Sequence, residues 1–120
     1  MSASQPPVSI HPYFRAHAGK RDEMLASLPQ FVEKTATEDG CLWYEFTTHG
    51  DELFCREGYK DAAAALAHLE NVGEMLQQLL TITDLTRLEL HGPAAELEEL
   101  KEPLKDLNPT WFAYECGLNR

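Results

Sequence analysis

Residues 41–59, CLWYEFTTHGDELFCREGY, read as a β-hairpin. Residues 41–48 (CLWYEFTT) are rich in aromatic and β-branched side chains, which suit a pleated, half-buried surface. His49-Gly50-Asp51 carries turn chemistry, and residues 52–59 (ELFCREGY) return as the partner strand.

Upstream, Glu38-Asp39-Gly40 ends a helix, Gly40 being suited to the left-handed position after a helix stop. That helix is expected from about Lys20 to Thr37, with Met24, Leu25, Leu28, Phe31, Val32 and Thr35 on one face at spacings of three and four. Pro29 lies inside it and is expected to kink or split it. Before it, residues 8–14 (VSIHPYF) alternate with a period of two, the mark of a strand with two different faces. Pro12 cannot donate to a ladder, so this strand is expected at an edge or to end there.

Downstream, Asp61 is a good N-cap for a helix whose stripe runs Leu66, Leu69, Val72, Leu76, Leu79 and Leu80, with Gly73 a point of division. Residues 84–91 alternate again. Gly92-Pro93 breaks the strand before a short helix with Leu97, Leu100, Leu104 and Leu107 in phase, and Asn108-Pro109 precedes a last strand, 110–116. The order is strand, helix, strand, strand, helix, strand, then an added helix and strand. The fold class is α+β, a ferredoxin-like βαββαβ unit with a C-terminal extension and helices on one sheet face. The uncovered face is best buried by a second copy, so a homodimer is expected.

A chain of 120 residues suits one domain spanning 1–120. Twenty acidic against ten basic side chains give a formal charge of −10, which disfavours nucleic acid and anionic membranes as partners. No apolar run approaches the length of a membrane span, and Met1 to Pro7 lacks the features of a signal peptide, so a soluble, cytoplasmic protein is expected. Cys41, Cys55 and Cys116 are odd in number with no C-x-x-C pair, which reads as reduced thiols.

The runs PYFRAHAGKRDEML, TEDGCLWYEF and REGYKDAAAALAHLENV resemble the antibiotic biosynthesis monooxygenase family: a glycine-lysine helix start, an E-x-G-C-x-x-Y-x-F hairpin and a helix with an A-x-x-A-H element. The resemblance covers about residues 8–91, and 92–120 form an extension. It implies a dimeric α/β barrel with a pocket between sheet and helices. It also implies an activity drawn from cofactor-independent oxygenation of quinol or anthrone-like molecules, haem degradation or lactone isomerisation. The second histidine often found after the A-H element is replaced here around Val72 and Gly73.

His68 lies one step off the leucine stripe, with Asn71 and Met75 on the same flank, where they can line a pocket under the sheet. A histidine there can take a proton from an acidic hydroxyl, the first step of an oxygenation that uses neither flavin nor metal. Arg56 either holds a substrate oxyanion or pairs with Glu45 across the hairpin. Trp43, Tyr44, Phe46 and Tyr59 either bracket a planar substrate or pack a core or dimer face. His11 and Tyr13, with His49 and His91, complete the polar candidates; their scatter matches no metal-ligand spacing, and no nucleotide-binding motif occurs. The expected function is a cofactor-independent monooxygenase acting on a small aromatic or quinol-type molecule, with His68 as base and Arg56 as anion holder. The alternatives are a lactone or enol isomerase and a non-catalytic dimeric small-molecule-binding protein.

Overall fold

The computed structural model describes residues 5–120, so the first four residues of the leader lie outside the described residues. The chain forms β1 (Val8–Ala16), α1 (Arg21–Thr35), β2 (Cys41–His49), β3 (Glu52–Tyr59), α2 (Ala62–Asn71), α3 (Gly73–Leu79), β4 (Thr83–Gly92), α4 (Ala94–Leu104), a 3-10 turn (Lys105–Leu107) and β5 (Thr110–Ala113). The sheet order is β2-β3-β1-β4-β5. The first four strands pair antiparallel, and β5 adds parallel to β4. The ferredoxin-like α+β reading therefore holds, with the extension continuing the sheet.

Two expectations need correction. β1 is a central strand despite Pro12, because the proline falls where the pairing with β3 is interrupted, between Ile10↔Glu57 and Tyr13↔Phe54. On that side the missing N–H costs no regular ladder bond, while Pro12 stays in register with Leu88 of β4. Pro29 does not split α1, which runs through it as one helix, with buried Met24 on one side of the proline and Phe31 and Thr35 on the other. Gly73 does mark a division, since the second helix breaks at Val72 into α2 and α3. Asp61 caps α2 as expected, its Oδ1 accepting from the Ala64 N–H at 2.8 Å.

The helix-facing side of the sheet carries two apolar clusters. One gathers Val8, Ile10, Leu88 and Leu90 with Leu97, Leu100 and Leu104 of α4. The other gathers Phe14, Met24, Phe31, Leu53, Val72 and Leu79. The opposite face mixes aromatic and charged groups: Tyr13 and Phe54 approach to 4.8 Å between ring centroids, and His91 stacks on Phe112 at 4.5 Å. Trp43 lies directly over Gly58, where any β-carbon would clash with its ring. Glycine is required there by space.

Candidate active site

Between the two apolar clusters lies a polar seam. β3 sends Leu53, Cys55, Glu57 and Tyr59 to the helix side, so one carboxyl stands in an otherwise hydrophobic row. α2 meets the sheet with Ala62, Ala65 and His68, all buried at spacings of three. The two alanines hold no bulk between helix and sheet, which brings the imidazole within reach of β3. His68 Nε2 lies 3.4 Å from Glu57 Oε1, and Tyr59 donates its hydroxyl to the same oxygen at 2.6 Å. On the other side of the ring, Nδ1 lies 2.9 Å from Glu38 Oε2. Asn71 steadies that carboxylate, donating from Nδ2 at 2.7 Å while also donating to the Lys34 carbonyl. The shorter contacts are those of Nδ1 with Glu38, whose carboxylate can only accept, so the proton of the neutral ring sits on Nδ1; Nε2 is then an acceptor, which Glu57 satisfies when its own carboxyl is protonated.

Burial sets the proton affinities. His68 is only 2% exposed, and desolvation lowers its pKa below the ordinary histidine value, against the opposing pull of Glu38. Desolvation raises Glu57 to about 7, although the hydrogen bonds from Tyr59 and Cys55 act the other way. Tyr44, Cys55 and Tyr59 are all pushed above their usual ranges, chiefly by burial, and so stay protonated. An imidazole held below its ordinary pKa and a carboxyl raised to about 7 thus stand side by side.

These groups border a cavity of about 60 Å³. Tyr44, Cys55, Glu57 and His68 supply its polar edge, Phe14, Phe31 and Phe46 part of its wall, and leucines of α2 to α4 and β4 most of the rest. Glu38 has a second aspect: with Thr35, Cys41 and Tyr44 it lines an outer hollow of about 220 Å³. His68 therefore faces the interior, while its partner carboxylate reaches toward solvent.

The other residues singled out from the sequence divide. Tyr44 borders the cavity with its ring 5.1 Å from that of His68, and Tyr59 packs on the imidazole at 5.0 Å. Arg56 points to the opposite sheet face, where its side chain is 57% exposed and Nη1 lies 3.6 Å from Glu45 Oε1. The cross-hairpin ion pair is the reading that matches, and the guanidinium does not join His68. His11, Tyr13 and Trp43 also sit on that face, His11 accepting or donating to Ser9 Oγ at 2.8 Å. Met75 departs from His68 and borders an external hollow with Asn71. Glu38 and Glu57 went unassigned from sequence. Glu57 was detectable from the alternation Leu53-Cys55-Glu57-Tyr59, which sets it opposite Arg56 among buried types; Glu38 reads only as part of a helix stop. Among the described residues no group of three His, Cys, Asp or Glu side chains is placed to hold a metal ion.

The chain belongs to the antibiotic biosynthesis monooxygenase family, whose model matches residues 7–73. Among solved structures it is similar to MupZ from Pseudomonas fluorescens, at 35% identity and a TM-score of 0.91, with 95% of this chain and 94% of that chain covered. Rv0793 from Mycobacterium tuberculosis matches at 26% identity and a TM-score of 0.64, covering 72% of this chain and 94% of that one. A conserved protein from Methanosarcina mazei Go1 shares the fold at 20% identity and a TM-score of 0.64, covering 72% and 90% respectively. The match to MupZ takes in nearly the whole chain, extension included. No curated protein matches this sequence.

Proposed function

We propose that this chain is an acid–base enzyme that binds a small molecule in the cavity beneath its sheet. Its reaction is a monooxygenation of an aromatic or quinol-type compound with dioxygen as the only co-reactant. The observation that carries the reading is His68 held between two carboxyl groups, its Nδ1 on Glu38 and its Nε2 toward Glu57 at the cavity edge. Nε2 removes a proton from the substrate, and the resulting anion gives electrons to dioxygen. The peroxide anion so formed takes that proton back from His68 and loses water as its O–O bond breaks, leaving one oxygen atom on the product. Glu38 orients the ring and stabilises its protonated form in between. Tyr44 flanks the imidazole as part of the substrate-side wall, and Tyr59 packs on the ring from within the core.

The raised pKa of Glu57 favours a second reaction in the same site. A protonated carboxyl beside a neutral imidazole supplies an acid and a base together, which suits isomerisation of a lactone or enol. Oxygen uptake with a panel of quinols and anthrones separates the two. Uptake by the protein that disappears in His68→Gln supports oxygenation; deuterium entry from heavy water without uptake supports isomerisation; binding without either leaves a ligand-binding protein.

We also propose a homodimer joined through the aromatic sheet face, where Tyr13, Phe54, His91 and Phe112 are gathered. A cytoplasmic setting is the matching proposal for location; no helix among the described residues is long and apolar enough to cross a membrane.

A further inference from the structure

Two features of the cavity bear on what it accepts, and both rest on the cavity being the site proposed above. The first is charge. Glu57 borders the space, Glu38 stands behind His68, and the lining includes no lysine or arginine. An anionic ligand placed there would lose its hydration beside acidic groups without gaining a counter-ion, which is among the most costly arrangements in a protein interior. A hydroxyl fits, because it can donate to the His68 lone pair or accept from Glu57. The second is size. A volume of about 60 Å³ holds only a few waters, each needing at least about 10–15 Å³ on this measure, so a larger occupant requires a wall to yield.

The sheet walls are tied by ladders on β1, β3 and β4, and His68 is pinned at both nitrogens. The C-terminal extension is held differently. Leu104 ends α4, Leu107 ends the 3-10 turn that follows, and both border the cavity. Leu107 is 41% exposed, the most solvent-facing side chain of the lining, and so touches both the cavity and the outside. Asn108 then reverses the chain with a positive φ of 51°.

We infer that the cavity selects uncharged, hydroxyl-bearing apolar molecules, and that the Leu104–Leu107 wall is the gate that admits them and limits their size. The matched pair 1-naphthol and 1-naphthoate tests this near neutral pH, where only the second is charged. Binding to the full chain is followed by naphthalene fluorescence and by thermal shift. Naphthol is expected to bind and raise the melting temperature, and naphthoate to do neither. Leu107→Trp, which fills the gate from a half-exposed position, is expected to weaken naphthol about tenfold, the equivalent of losing part of one buried side-chain contact. Leu118→Trp, at a position 78% exposed, serves as the control and should leave binding unchanged. Equal or tighter binding of naphthoate, no binding of naphthol, or naphthol binding indifferent to a folded Leu107→Trp protein would each overturn the inference. The readout is binding alone, so a protein that binds naphthol but turns over nothing refutes the catalytic reading and leaves this one standing.

Discussion

Oε2 of Glu38 accepts from both His68 Nδ1, at 2.9 Å, and Asn71 Nδ2, at 2.7 Å, so one carboxylate oxygen ties the turn between α1 and β2 to two successive turns of α2. The same contact decides which ring nitrogen stays unprotonated, and structure and chemistry here depend on one residue pair.

Replacing His68 should therefore affect both. His68→Ala is expected to lower turnover by about 10²- to 10⁴-fold, the usual loss on removing a positioned base. A residue merely flanking a leucine stripe would cost about 1 kcal/mol on truncation. The buried position instead leaves Glu38 and Glu57 without their shared partner, and a cost on the order of 2–3 kcal/mol is expected. His68→Gln retains a polar group and should recover part of the stability and none of the proton transfer. Chemical denaturation alongside single-turnover assays measures the two losses separately; a variant with full stability and full turnover would remove His68 from the site.

Glu57 makes a prediction with a definite sign. Its folded pKa stands at about 7 against an ordinary 4.5, so the folded chain holds this proton more tightly than the unfolded chain does. The group's contribution is most favourable below pH 4.5 and is lost as pH rises through about 7. His68, shifted downward, acts oppositely: its penalty grows as pH falls below 6.5. Glu57→Gln removes the first contribution only. Relative to the native chain, this variant should gain stability between pH 4.5 and 7 and then level off, the full gain being about 3 kcal/mol from the size of the shift. Unfolding curves across that window check it, and a constant difference between the two proteins would show that Glu57 does not titrate there.

The fold was legible because local signals agreed: the hairpin's residue types, the Asp61 cap and the period of the leucines all point the same way. Pro12 was misleading, since a gap in the pairing of a central strand cannot be seen without its neighbours. The site was half legible. His68 stands out on an apolar helix, but its environment depends on Glu38, thirty positions away in sequence, and on which side of β3 faces the helices. Arg56 drew attention as a charge among hydrophobic residues, yet alternation sends it outward and brings Glu57 in.

The extension lends itself to a deletion. Read as an addition beyond His91, Gly92–Arg120 would be expected to affect mainly association. Leu97, Leu100 and Leu104 are instead buried against Val8, Ile10 and Leu90, and Glu96 Oε1 accepts from the Ala62 N–H at 2.8 Å at the start of α2. Truncation after His91 should thus remove one wall of the core and a cap on the helix that carries His68. Loss of cooperative thermal unfolding with gain of hydrophobic-dye binding is expected; a truncated chain that melts sharply near the native temperature would show the extension to be peripheral.

The proposed dimer has its own test in Phe54. Its ring lies 4.8 Å from Tyr13 and 5.9 Å from His11 on the sheet face away from the helices, so it contributes to neither apolar cluster of the core. Phe54→Asp places a charge in the middle of that face, where burial against a second copy would leave it without a partner. Sedimentation at micromolar concentration should show the native chain at twice its chain mass and the variant at the chain mass, with unchanged far-ultraviolet circular dichroism. Lys20→Ala provides the contrast. Its ion pair with Glu23, in the helix layer at the start of α1, is largely solvated, and removing it should shift stability by less than about 1 kcal/mol while leaving the dimer in place. A native chain that sediments as a monomer, or a Phe54→Asp variant that still pairs, would move the interface elsewhere or abolish it, and the aromatic face would then need another explanation for its exposure.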